Sequence, residues 1–481
     1  MTVQLERRLA PAELPDRTAA SSDALRLPGL VILLCGGFLP LLDFFIVNVA
    51  LPTMNVTLHA SGPMLQLVVA GYGVAYALML VVGGRLGDAI GRRRLFIIGV
   101  SGFTVSSLLC GIAPSIGALV ALRVVQGLSA AMSQPQVLAT LHATLDGQRR
   151  ARAIGLYAAM GGVAASVGQL LGGALVQANL WGLSWRPIFL VNVPVGLLVL
   201  ALSRRHVPAT KSPAPAGVDR LGTALIGVAL VAVLVPLTEG RALGWPLWTW
   251  LLLALAPLAA AAAVVVERRI ERAGGAPLIS PSMVRLPSMR RGLALAIPFF
   301  SAFGAFMFVF ALAVQDGLRF SPLRSGLALA PMTAAFLVGS LLAPRLVARF
   351  GGRAIAVAMA SEAVVLIALA FQVLRQWPHI GTFTMSPELV VAGFAQAITL
   401  VTLFRTVLAD VPQRLSGIGS GILVTVQQSA LALGVASLGS VYLSIAGGSP
   451  SRGFSYIIVG MAALFAAVAV GGWLFLARSE A

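Results

Sequence analysis

Asp43 stands in the run LDFFIVNVALP at 42–52, and Arg123 stands in an equally apolar stretch near 117–139. Inside hydrocarbon, a carboxylate or a guanidinium is costly unless it pairs or meets water. Counted at about 1.5 Å per residue from the ends of their helices, the two residues reach one depth, in the half of the membrane away from the N-terminus. Two readings follow. The pair is a proton or cation site, with Asp43 titrating in a shared polar cavity under the influence of Arg123, or it is a structural ion pair that fixes helix packing. Glu362, in AVAMASEAVVLIALAF, has no obvious local partner and reads as a second titratable site or as part of a polar lining. Glu239 and Asp316 fall at helix ends, where a carboxylate reaches water, and suit an outer vestibule. Asn48, Gln126, Gln315 and Gln427 are uncharged polar residues suited to a cavity wall or to interhelical hydrogen bonds, as are Gln396 and Gln428.

Other chemistries lack their residues. No GxxxxGK[ST] phosphate loop occurs, so any uphill transport has to draw on an ion gradient. His59, His142, His206 and His379 are scattered over loops and helix ends with no metal-ligand spacing, and Cys35 and Cys110 sit in separate apolar runs. No cofactor is expected, and no enzyme: a membrane enzyme would want clustered histidines or paired acids near one interface.

The elements that hold these residues are membrane helices. The chain is 58% hydrophobic and 10% charged, against roughly 25% charged in soluble domains. Apolar runs of about twenty residues recur from residue 29 onward. Spans are predicted near 29–51, 63–83, 95–113, 117–139, 153–176, 187–203, 221–238, 247–266, 292–314, 323–344, 354–374, 384–404, 417–441 and 454–476. The class is therefore an all-α polytopic membrane protein with fourteen transmembrane helices. Positive charge tests the count. Most of the 34 basic residues fall on the side of the N-terminus, whereas Arg186, Arg241, Arg319, Arg324, Arg375 and Arg452 fall on the other. That bias places both termini in the cytoplasm of a plasma-membrane protein. It also argues against nucleic acid as the reason for the net charge of +18, because the charges occupy short loops and form no basic face. Trp181, Trp185, Trp245, Trp248, Trp250 and Trp377 fall at outer loop edges, as an interfacial belt should.

The longest polar stretches divide the chain into a cytoplasmic tail (1–27), a six-helix half (28–203), a linker (204–220), two additional helices (221–266), a second linker (267–291), a second six-helix half (292–476) and a short C-terminus (477–481). No cleavable signal peptide is expected before the first span. An internal echo supports the division: GRLGDAIGRR at 84–93 aligns without gaps on PRLVARFGGR at 344–353, each after the second helix of its half. Two similar halves in parallel orientation suit a rocking transporter. In the first of these turns, Gly84 and Gly91 permit close approach, and Asp88 among Arg92 and Arg93 is the feature that an ordinary positive loop does not require. It reads as a latch on one conformation. Ala164, Gly168 and Gly172 recur every four residues beside Gly173, forming a ridge on which a helix packs closely or slides.

These residues together resemble the major facilitator superfamily, and within it the fourteen-span drug/proton antiporter branch of EmrB/QacA type. The resemblance rests on Leu42-Asp43-x-x-Ile46-Val47-Asn48-Val49-Ala50-Leu51-Pro52, on Gly84-x-Leu86-x-Asp88-x-x-Gly91-Arg92-Arg93, on Arg123-x-x-Gln126-Gly127, and on Trp185-Arg186-x-Ile188-Phe189-x-Val191-Asn192-x-Pro194-x-Gly196. Gly168-Gln169-x-x-Gly172-Gly173 is similar to the antiporter motif of span 5, with Gln169 where the family usually has proline. Gln427 occupies a place where a basic residue is common. The resemblance implies two six-helix halves with two helices outside them. It also implies proton coupling through Asp43 and Arg123, and a cytoplasmic gate at Asp88, Arg92 and Arg93. The reaction it implies is export of a lipophilic small molecule against protons, by a monomer in membrane lipid. Export of a self-made metabolite, import, and a transporter-like receptor stay open.

Overall fold

The computed structural model describes residues 25–212, 217, 219–275, 277–351, 353–412 and 416–476; most of the expected N-terminal tail, Arg414 and the C-terminus at 477–481 lie outside them. Fourteen long helices follow one another: α1 Leu27–Leu58, α2 Gly62–Ile90, α3 Arg92–Gly111, α4 Ile116–Thr144, α5 Gly147–Ala178, α6 Pro187–His206, α7 Arg220–Glu239, α8 Leu247–Arg272, α9 Pro287–Leu312, α10 Pro322–Phe350, α11 Arg353–Gln376, α12 Ser386–Leu408, α13 Ser416–Ala446 and α14 Pro450–Leu476. Among the described residues there is no strand. Thirteen of the helices are long and apolar enough to cross a bilayer, and in α5 the apolar stretch Val163–Ala178 is shorter. The molecule is an all-α, polytopic membrane protein.

Local chemistry sets the helix ends. Ser61, Ser115, Ser321 and Asp219 cap α2, α4, α10 and α7 with side-chain oxygens that accept backbone N–H groups. α1 and α2 are longer than the predicted spans: 32 residues make a rod of about 48 Å, beyond the roughly 30 Å hydrocarbon core. The two echoed turns share a positive-φ glycine at the helix end. Gly91 and Gly351 end α2 and α10 with positive φ (104° and 55°), and their N–H groups bond to Gly87 and Val347. Only glycine adopts such conformations without strain.

Packing defines two clusters and the seam between them. α2 lies on α4, α3 on α4 and α6, and α1 on α5 and α6; in the second half α10 lies on α12, α11 on α14 and α12, and α9 on α13. α2 meets α13 and α5 meets α10 across the seam, and α1 meets α9. α7 lies against α2 and α13 where the halves adjoin, with α8 packed on α7. Close approach of α2 to α4 depends on Gly127, whose absent side chain leaves room for the Tyr72 carbonyl.

Candidate functional site

Asp43 and Arg123 are both fully buried and form an ion pair between α1 and α4. Every oxygen of Asp43 is committed. Oδ2 accepts from an Arg123 Nη, while Oδ1 accepts from Gln126 Nε2 at 3.0 Å and from Asn192 Nδ2 at 3.1 Å. Ser107 Oγ on α3 accepts from the same two amides at 2.7 and 3.2 Å. Arg123 also donates through Nε to the Val68 carbonyl at 3.0 Å and through Nη1 to Gln126 Oε1 at 2.6 Å. One carboxylate thereby joins α1, α3, α4 and α6, with α2 attached through the guanidinium.

The sequence places the pair at one depth, and the structure brings it into contact. The network lies in the interior of the first half: Asp43, Ser107, Arg123, Gln126 and Asn192 are all fully buried. Aromatic rings complete the shell. The Arg123 guanidinium lies 4.2 Å from the centre of the Tyr72 ring and 5.7 Å from that of Phe189. One guanidinium nitrogen, Nη2, is buried without a hydrogen-bond partner, as are Asn192 Oδ1 and Asn48 Oδ1.

Tyr72 also borders a cavity between the halves. This space, about 60 Å³, is lined by Pro40, Leu41, Phe44, Phe45, Tyr72 and Tyr76 from the first half and by Phe303, Gln427, Gln428 and Leu431 from the second. It would hold about two waters, whereas drug-sized ligands fill roughly 300 Å³ or more. A bulky cargo therefore requires the halves to part here. Gln427 is where the sequence places it, at a cavity wall. Gln126 takes the other role open to it, interhelical hydrogen bonds to Asp43 and Ser107, and Asn48 donates to the Phe44 carbonyl of its own helix at 2.9 Å.

The remaining expected residues occupy three other places. Glu362 on α11 is fully buried and accepts from Gln396 Nε2 on α12 at 2.6 Å, so it has a partner that the sequence did not disclose. Asp88 at the end of α2 pairs with Arg92 at the start of α3 (2.9 and 3.1 Å), Arg92 reaches the Ala139 carbonyl of α4, and Arg93 reaches the carbonyls of Arg204 and Val207 around the end of α6. Gly84 faces Pro135 of α4. These contacts stay within the first half. On α5, Gly168 and Gly172 face Leu42, Phe45 and Ile46 of α1, whereas Gly173 faces Pro322 and Leu323 of α10. Gln169 also turns to the second half, its Nε2 lying 3.7 Å from Met307 Sδ. Gln315 donates to the Val49 carbonyl across the seam at 2.9 Å. Asp316 is exposed and Glu239 half-buried.

Three members of this network escape sequence reading. Asn192 is quoted in a motif without a role, Ser107 is one serine among many, and Tyr72 lies 51 residues from Arg123. A polar residue amid VNVP is the single signal that pointed to Asn192.

A family model described as Major Facilitator Superfamily matches residues 33–435. The chain is 35% identical over 436 residues to the probable actinorhodin transporter of Streptomyces coelicolor, covering 90% of this chain and 75% of that one. It is 33% identical over 475 residues to the puromycin resistance protein pur8 of Streptomyces alboniger, covering 94% and 92%. Among solved structures, a peptide transporter of the POT family superposes with a TM-score of 0.69 over 98% of this chain and 99% of that one, at 16% identity, a likeness of fold alone.

Proposed function

The chain belongs to the major facilitator superfamily, and we propose that within it the protein is a proton-coupled antiporter of the fourteen-span drug/proton branch, exporting amphipathic aromatic molecules by alternating access. It moves small molecules through the membrane rather than transforming them. The named relatives handle an antibiotic or confer resistance to one, which supports efflux of compounds of that kind. In this reading both termini and the Asp88–Arg93 turn face the cytoplasm, and the helices divide as six, two and six.

The observation that carries the proposal is that one ring, Tyr72, borders both the interhelical cavity and the Arg123 guanidinium. Five aromatic rings and two glutamines line the cavity, with no charged side chain among them. Such a surface stacks on flat apolar groups and offers the glutamine amides to ketones or hydroxyls. Neutral, zwitterionic or singly cationic cargo fits it; polycations have no counter-charge there. Cargo pressing on Tyr72 displaces the ring that covers Arg123, and the ion pair responds. When Asp43 takes a proton, its bond to Arg123 loses its charge and the guanidinium has to find other acceptors. Breaking a buried pair costs about 3–5 kcal/mol, enough to shift the balance between two packings of α1 against α4 and α6. Proton and cargo then favour opposite conformations, which is antiport.

The test is cargo-induced proton release from protein reconstituted in vesicles, using a panel of planar aromatic compounds. Wild type should release protons in proportion to binding, and Asp43→Asn should bind without release. Equal proton release by the mutant would transfer the coupling role to Glu362.

A further inference from the structure

Asp219 and Glu267 face one another at the base of the α7–α8 hairpin, outside the ion-pair site and the cavity. Asp219 caps α7: Oδ1 accepts from the Gly222 N–H at 2.8 Å, and Oδ2 has no hydrogen-bond partner. Glu267, near the end of α8, is 3% exposed, and neither of its carboxyl oxygens has a hydrogen-bond partner. The backbone amides of Leu278 and Ile279 lie close to the same carboxyl. The two orphaned oxygens converge. A methyl group on Gly222 would collide with Asp219 Oδ2 and stand 2.6 Å from Glu267 Oε1, so both carboxyls crowd the same point above that glycine.

Arg85 of α2 supplies the nearby positive charge, within Coulombic range of both acids. Its guanidinium donates to the Gly217 carbonyl before α7 at 3.0 Å and to the Pro277 carbonyl after α8. It thus ties both feet of the hairpin to the helix that carries the Asp88 turn. The other charged groups nearby are occupied or exposed. Glu271 accepts from Ser280 and Ser282 (2.6 Å each), while Arg220, Arg268, Arg269 and Arg272 are exposed.

Two buried carboxylates in contact cannot both be ionised cheaply. One proton between them turns two orphaned acceptors into a donor–acceptor pair, and it leaves a single negative charge to balance Arg85. We propose that Asp219 and Glu267 form a proton-binding site that holds one shared proton and thereby fastens the α7–α8 hairpin to the end of α2. The site is independent of what the protein carries. Loss of the proton leaves two like charges face to face, which drives the base of the hairpin apart and draws Arg85 from its carbonyls toward the acids. The two helices outside the six-helix halves then report the acidity at that end of the molecule to the turn that contains Asp88.

The experiment is infrared difference spectroscopy of the full-length protein in lipid nanodiscs, stepped between about pH 5 and about pH 8.5, a range in which linked protons appear as a loss of carboxylic acid absorption. Asp219→Asn, Glu267→Gln and the double variant are compared with wild type, all being near-isosteric. A shared proton predicts that each single variant removes the same part of the carboxyl band and that the double variant removes no more. Losses that add in the double variant would give each residue a proton of its own, and a loss in only one single variant would assign the proton to that residue; either result overturns the pair, and an unchanged band would overturn the site. Thermal melting over the same pH steps guards against misfolding. Wild type should lose stability as pH rises, and folded Glu267→Gln should stay flat. Parallel decline in both would equally reject the proposal.

Discussion

At the residue scale the first half is organised around one carboxylate that serves three partners. Asp43 accepts from Arg123 and Gln126, which share one face of α4, and from Asn192 of α6. Arg123→Lys tests the arrangement, because lysine keeps the charge and loses the fork that reaches Val68, Asp43 and Gln126 together. The expected result is a fall in transport of about 100-fold, from roughly 3 kcal/mol of lost interactions, with protein still recovered from the membrane. Near wild-type transport would reduce Arg123 to a bare counter-charge. Asn192→Ala removes one hydrogen bond to a charged acceptor and should cost about 1.5–3 kcal/mol of thermal stability, read as a lower melting temperature. The charged members of this network stand out in the sequence because ions in apolar runs are rare. Asn192 and Ser107 do not, since nothing in a one-dimensional pattern states which helix faces another. Glu362 and Gln396 show the same limit: both were visible as polar, and only packing of α11 on α12 makes them a pair.

At the element scale the legible features were periodicity, loop charge and turn glycines. The apolar runs marked every helix, with starts within six residues and ends within seven, and the echo between 84–93 and 344–353 marked two turns that each hold a positive-φ glycine. Helix lengths were underestimated because α1 and α2 run on past the hydrocarbon, where polar residues end the apolar pattern without ending the hydrogen-bond ladder. The turn makes its own prediction. Gly91 adopts a φ of 104°, so Gly91→Ala forces a Cβ into a conformation that costs about 1–2 kcal/mol. Arg92 and Arg93 begin α3 from that residue, and their bonds to Ala139, Arg204 and Val207 depend on its direction. The variant should show a lowered melting temperature together with faster proteolysis after Arg92 or Arg93; full stability would mean that the turn relaxes freely. The glycine row of α5 is read more finely by structure than by spacing. Gly168 and Gly172 serve packing within the first half, and Gly173 meets the second.

At the scale of the whole molecule, the two halves are held together by contacts toward one end. Gln66 at the start of α2 donates to the Val435 carbonyl of α13 at 2.9 Å, and the Ser440 hydroxyl lies between two acceptors for its one proton, the Leu237 carbonyl of α7 at 2.6 Å and Gln66 Oε1 at 3.1 Å. Gln315 at the end of α9 reaches Val49 toward the end of α1, and Arg241 reaches Ser444 at 3.2 Å. Gln66 and Asp88 lie on one helix, about 33 Å apart at 1.5 Å per residue, so this clasp closes the end opposite the Asp88 turn. Transport by alternating access requires the clasp to part in every cycle while the aromatic cavity widens from its present size. Cysteines placed at Gln66 and Ser440, joined by a short cross-linker with two thiol-reactive ends, should therefore stop transport while leaving the protein folded, and reductive cleavage of a cross-linker that carries an internal disulfide should restore it. Either single cysteine treated alike should remain active. Transport that continues in the joined protein would require the halves to separate without moving α2 from α13, and rocking would have to be abandoned in favour of local motion of α1 and α9 around the cavity.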